Sequence, residues 1–132
     1  MYTYDHVVKF HECDPAGILF FGNVYFIAHD AYEKMISSRI PNFHFFANSE
    51  FAFPLIKSEA EYFHPVSAGQ KIRLELYSTA ISGSFYKIEY NFYCVDKLVA
   101  CVSTEHVCVK KEGFKKTNLP EEVKGLLLTI LK

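Results

Sequence analysis

Three consecutive stretches between Lys71 and Lys110 alternate apolar and polar residues, and the joints between them are very short. From Lys71 to Ile81, Ile72, Leu74 and Leu76 stand against Lys71, Arg73 and Glu75. From Phe85 to Val95, Ile88, Tyr90, Phe92 and Cys94 stand opposite Lys87, Glu89 and Asn91. Leu98 to Lys110 follows as a third long strand. A period of two buries one face of a strand and leaves the other in water. Ser82-Gly83-Ser84 and Asp96-Lys97 supply the tight turns. Strands joined this closely run antiparallel, because a parallel pair needs a crossover of a dozen or more residues.

The first third of the chain has a different rhythm. Tyr2 to Phe10 reads as a strand with Tyr2, Tyr4, His6 and Val8 on one face. From Asn23 to about Arg39, Val24, Ile27, Ala28, Ala31 and Met35 fall on one helical stripe. Asn23 is the expected N-cap, and Pro41 lies just past the end. Pro41 to Glu50 is aromatic and polar without a period and reads as a loop. Phe51 to Phe63 reads as a strand interrupted near Pro54, and Pro65 to Gly69 breaks it. Lys111 to Asn118 is polar, and Pro120 to Leu131 reads as a short helix opening on Glu121-Glu122. The order is strand, helix, then about four antiparallel strands, an α+β domain spanning 1–132.

With 132 residues, half of them apolar, the chain is long enough for one real core. A formal net charge of −1 and no long basic run argue against nucleic acid as a partner. The N-terminus has no signal-like apolar run and no segment is long enough for a membrane helix, so a soluble, cytoplasmic protein is expected. Thirteen Phe and nine Tyr are more than one helix on one sheet face can cover, which predicts a homo-oligomer. The four cysteines form no C-x-x-C pair and no HExxH pattern occurs, so no metal site is expected. Cys13 beside His11 is a minor candidate for a thiol nucleophile.

Asp14-Pro15-Ala16-Gly17 matches a type I turn residue by residue. Asp14 is either a turn-maker alone or a carboxylate aimed at the start of the helix. A helix N-terminus carries unpaired N–H groups and partial positive charge, which suit a developing oxyanion. A carboxylate beside it can attack a carbonyl directly or activate a water. Gly17 and Gly22 leave room for a ligand near the backbone.

The segment Asp14-Pro15-Ala16-Gly17-Ile18, after a strand and before the long helix, resembles the hot-dog fold thioesterases, in particular the 4-hydroxybenzoyl-CoA thioesterase family. His29-Asp30-Ala31-Tyr32-Glu33 and Phe51-Ala52-Phe53-Pro54-Leu55-Ile56 are similar to the 1,4-dihydroxy-2-naphthoyl-CoA hydrolase branch. The resemblance implies an antiparallel sheet wrapped around one long central helix, with sites built between paired subunits as a homodimer or homotetramer. It implies hydrolysis of an acyl-CoA without a cofactor. By motif position it puts the catalytic carboxylate on Asp14 and the oxyanion-binding backbone N–H at Phe21. Gly22, His29, Glu33 and Phe53 are the further substrate-binding candidates, with Glu33 the runner-up acid. A broad acyl-CoA or acyl-carrier-protein thioesterase, a dehydratase and a non-catalytic thioester-binding protein are the competing readings.

The remaining candidates have ordinary structural readings. His11 and His64 are expected to be polar partners at strand ends, and His106 a satisfied structural histidine. Lys71, Arg73, Lys110, Lys111, Lys115 and Lys116 are available to CoA phosphates. The aromatic run Phe43 to Phe46, with Phe51 and Phe53, is either core or a wall for a flat acyl group.

Overall fold

The two short joints form hairpins of different kinds. Gly83 turns the first at a positive φ of 58°. The second pairs Cys94 with Lys97, leaving Val95 and Asp96 as a two-residue loop at φ 48° and 61°. Both central residues are left-handed, the geometry of a type I′ turn, here without a glycine. A computed structural model describes residues 1–40 and 49–132.

The hairpins build a five-stranded antiparallel sheet from β1 (Tyr2–Val7), β3 (Leu55–Tyr62), β4 (Lys71–Ser82), β5 (Phe85–Cys94) and β6 (Lys97–Val107), in the order β1-β4-β5-β6-β3. The alternation read from the sequence is realised: Ile72, Leu74, Leu76, Tyr86, Ile88, Tyr90 and Phe92 are all at most 1% exposed. α1 (Asn23–Arg39) lies on that face and buries Val24, Ile27, Ala28, Ala31, Tyr32, Met35 and Ile36. Each large aliphatic or aromatic side chain so buried contributes about 1.5–3 kcal/mol. α2 (Glu121–Thr129) packs beside β4, and Ser78 Oγ donates to the Leu127 carbonyl at 2.6 Å.

The strand from Tyr2 ends at Val7 rather than Phe10, and the second turn sits on Val95 and Asp96 rather than Asp96 and Lys97. Other expectations also change in detail. The strand through Lys110 ends at Val107, because β5 begins at Phe85 and offers Val107 its last partner. The Cys108 amide bonds the Ser84 carbonyl instead, and the chain continues as β7 (Val109–Lys110). There it joins a small second sheet with β2 (Phe51–Ala52) and β8 (Lys115–Lys116), and β8 falls in a segment read only as polar. The helix is capped by Gly22 rather than Asn23, because the Asn23 side chain donates to the Glu12 carbonyl at 2.7 Å. The strand from Phe51 is interrupted at Phe53-Pro54, as Pro54 suggested. Of the aromatic run, Phe43 to Phe46 lie outside the described residues.

β3 is an edge strand paired only with β6. Every residue from Leu55 to Tyr62 is exposed except Ala60, which is half-buried. Phe26 on α1 and Leu55, Ile56, Tyr62 and Phe63 along β3 leave apolar surface in water at 45–73% exposure.

Candidate active site

The turn at Asp14 forms as its residues dictate. The Gly17 amide donates to the Asp14 carbonyl at 2.9 Å, and Gly17 takes a φ of 82°. The Asp14 side chain reinforces the turn: Oδ1 accepts from the Ala16 amide at 2.9 Å and the Ile18 amide at 3.4 Å. Among the described residues Oδ2 has no hydrogen-bond partner. One carboxylate oxygen therefore holds the loop, and the other takes no part in it.

The loop is tied to the sheet by Glu12, two residues earlier. Its carboxylate bonds His6 Nε2 on β1 at 2.9 Å and the Lys9 amide at 2.7 Å. Partial burial alone would raise the Glu12 carboxyl, but the Lys9 amide and the His6 ring outweigh it and hold the group below the usual carboxylate range. The Glu12 carbonyl takes both the Phe20 amide at 2.9 Å and the Asn23 side chain. β1, the Asp14 loop and the start of α1 thus share one hub.

Asp14 lines a cavity of about 350 Å³ with Phe21, Val24, Tyr62, His64 and Phe92 among its walls. Phe21 is the residue two before α1, and Gly22 caps the helix. Among the described residues neither amide donates a hydrogen bond, whereas the Phe20 and Asn23 amides on either side do. The Phe21 carbonyl accepts the Tyr62 hydroxyl from the end of β3 at 2.7 Å. That bond fixes the Phe21–Gly22 peptide plane, and with it the direction of the Gly22 N–H. The cavity therefore brings together a carboxylate with a free oxygen and the N-terminal end of a 17-residue helix. Such a set polarises a carbonyl and delivers an oxygen nucleophile.

The other candidates lie elsewhere. His29 lines a second cavity of about 290 Å³, between α1 and β3, together with Tyr25, Phe26, Tyr90, Thr104 and His106. Glu33 is exposed on α1 and lines neither cavity. Phe53 packs against the core with its ring 6.3 Å from that of Tyr86, and its carbonyl bonds His106 Nδ1 at 3.2 Å. His106 is 2% exposed and stacks against the Tyr32 and Tyr86 rings, whose hydroxyls bond each other, so it is a partnered core histidine. Lys71 and Arg73 are engaged with Asp5, Glu75 and Asp96, while Lys110, Lys111, Lys115 and Lys116 are exposed around the β7–β8 hairpin. Tyr62 and Glu12 escaped the sequence reading. Their roles depend on partners that no local spacing reveals.

A model of the thioesterase-like superfamily matches residues 8–127 of the chain. The chain belongs to this superfamily. A 1,4-dihydroxy-2-naphthoyl-CoA hydrolase of Nostoc punctiforme is 32% identical over 92% of this chain and 83% of its own length. One from Trichodesmium erythraeum is 30% identical over 97% of this chain and 96% of its own. Among solved structures, a 1,4-dihydroxy-2-naphthoyl-CoA thioesterase from Synechocystis superposes with a TM-score of 0.88 at 26% identity, covering 96% of this chain and 95% of that one. The dynemicin thioesterase superposes at a TM-score of 0.92 but only 17% identity, which speaks for the fold alone. The sheet with α1 on one face is thus the hot-dog fold of thioesterases. The resemblance carried by Asp14 to Ile18 was to this same group.

Proposed function

We propose that the chain hydrolyses an aromatic acyl-CoA of the 1,4-dihydroxy-2-naphthoyl class, using Asp14 and the amides that open α1. The observation that carries this reading is the shared cavity of Asp14 and Phe21. The substrate class comes from relatives at about 30% identity across nearly the whole chain. The thioester carbonyl would rest against the Phe21 and Gly22 N–H groups, which take up the charge as the oxygen becomes an oxyanion. Asp14 Oδ2 would then attack the carbonyl carbon or deprotonate a water that does so. The leaving CoA thiolate, close to a cysteine in acidity, departs without a dedicated acid. The exposed lysines of the β7–β8 hairpin are cations that would be offered to its phosphates. No metal or redox cofactor enters this route.

The same reading makes the protein a homodimer joined along β3. An exposed apolar edge strand invites a second copy, which would also cover Phe26, Leu55 and Ile56. CoA thioesters and four free cysteines suit a reducing compartment, and the cytoplasm is the location this implies. Among the described residues no helix is long and apolar enough to cross a membrane.

The test is thiol release from a panel of aromatic and aliphatic acyl-CoAs, run beside Asp14→Asn. One aromatic thioester should be cleaved fastest, and the variant should lose about 10²–10⁴-fold in kcat while still binding ligand. Unchanged turnover in Asp14→Asn would remove Asp14 from the chemistry. Sedimentation at micromolar concentration should give a dimer or its multiple, and a monomer would refute the β3 pairing.

A further inference from the structure

β3 offers two faces of different chemistry to anything that pairs with its free edge. Lys57, Glu59 and Glu61 point away from α1. There Lys57 bonds Glu59 at 2.6 Å and lies 3.9 Å from Glu105 of β6, and Glu59 and Glu61 share a hollow with Lys87 and Glu89. Ser58 points the other way. It stands opposite the buried Thr104 and lines the cavity between α1 and β3 with Tyr25, Phe26 and His29. Leu55 and Lys57 flank a bulge at Ile56, so the regular part of the strand is 57–62. Among the described residues its outer edge pairs with no strand.

A second copy can pair with this edge about a twofold axis in only a few registers. Directly opposed residues of an antiparallel pair share a face, so a register that opposes Lys57 to Ala60 is excluded. In the remaining registers the residue on the axis meets itself. With Lys57 on the axis, two ammoniums meet. With Glu59 on it, Lys57 gains the partner's Glu61, but two carboxylates meet at the centre. With Ala60 on it, Glu59 meets the partner's Glu61 twice over. With Ser58 on the axis, Lys57 stands opposite the partner's Glu59, and Glu59 opposite the partner's Lys57. The four groups then form a checkerboard with the ion pair each chain already holds, and no like charges are directly opposed. On the other face the two Ser58 hydroxyls meet as a small polar pair, as cross-strand Ser and Thr do.

We infer that two copies join by antiparallel pairing of β3 with Ser58 on the twofold axis. This rests on the proposed homodimer and fixes its register. It also sets what each copy lends to the other's site. Tyr62, a wall of the Asp14 cavity, lies four residues from the axis and so comes beside the partner's Pro54, Leu55 and Ile56. Leu55 and Ile56 at one end of the strand, and Tyr62 and Phe63 at the other, leave 45–58% of their surface in water in a single chain. Antiparallel pairing lays one apolar end on the other, next to the cavity that holds Asp14. The two α1–β3 cavities, each lined by its own Ser58, meet across the axis.

The test is disulfide trapping in the full chain, run beside sedimentation. Ser58→Cys puts two thiols across one antiparallel pair, with Cα atoms about 4.5–5.5 Å apart, within the span a disulfide needs. At Lys57→Cys, Glu59→Cys and Ala60→Cys the two copies of the thiol are displaced by about 7 Å or more along the strand. Under mild oxidation Ser58→Cys should run as a covalent dimer on a non-reducing gel. The other three variants, and the wild type with its four native cysteines, should run as single chains. Trapping at one of the other three positions in place of Ser58, or at none of the four in a protein that sediments as a dimer, would overturn the register. A monomer in sedimentation would overturn the pairing itself. Thiol release from acyl-CoA reads the role of Asp14 separately from both. The charges give a second readout. Glu59→Lys sets lysine against lysine twice and should weaken the dimer about tenfold at low salt. Adding Lys57→Glu rebuilds the checkerboard with its signs exchanged and should bring the dimer back to within about twofold of wild type. A double variant no tighter than Glu59→Lys would refute the opposed charges.

Discussion

Tyr62→Phe separates a group that orients the amides proposed to hold the oxyanion from one that touches the substrate. The hydroxyl donates to the Phe21 carbonyl at 2.7 Å and reaches it from the end of the edge strand. Its removal deletes one neutral hydrogen bond, for which the usual net value is about 0.5–1.5 kcal/mol. Tyr62 is 48% exposed, so water replaces much of the lost bond and the lower half of that range applies. If the bond only holds the Phe21–Gly22 peptide in place, kcat should fall by about 2- to 5-fold, at 1.4 kcal/mol per tenfold. KM should hold, because the aromatic ring remains as a cavity wall. Losing an oxyanion donor outright costs about 10²–10³-fold. Steady-state thiol release on wild type and Tyr62→Phe therefore distinguishes the two roles. A loss beyond a hundredfold, or a rise in KM with kcat unchanged, would refute the positioning role and put the hydroxyl on the substrate itself.

Two further perturbations test the framework. His106 titrates near 4 in the fold against about 6.5 for an ordinary histidine, so between those values the unfolded chain binds a proton that the folded chain does not. Stability should therefore fall as pH drops from 6.5 toward 4, by up to about 3 kcal/mol from this group; urea midpoints across that range should be flatter in His106→Gln, and parallel profiles would refute the assignment. Val95 is β-branched at φ 48° and 90% exposed, so its left-handed backbone is strained with no packing to offset it. Val95→Asn should stabilise by about 1 kcal/mol and raise Tm by a few degrees in calorimetry, whereas an unchanged or lower Tm would show the turn is not strained.

What the sequence made legible and what it hid divide along a physical line. The period-two segments placed Ile88, Tyr90 and Phe92 on the buried face, and the helical stripe placed Val24 to Met35, because a repeat encodes which face of an element is apolar. The Asp14 turn was legible for a similar reason: its hydrogen bond to Gly17 spans three residues. A repeat does not encode which partner meets that face. Asn23 has the chemistry of an N-cap, yet a carbonyl eleven residues back takes its side chain and Gly22 caps instead. His106 was legible as a satisfied histidine, but the Phe53 carbonyl that sets its tautomer stands 53 residues away. Tyr62 reaches Phe21 across 41 residues, from an edge strand whose exposure follows only from the strand order. The turn-maker and the proposed catalytic carboxylate are compatible readings of Asp14, because a carboxylate has two oxygens that a residue symbol does not distinguish. Oδ1 takes the local bonds that shape the loop, and this leaves Oδ2 without a partner among the described residues. The geometry that makes the turn thus leaves the second oxygen unused, on a residue that lines the cavity.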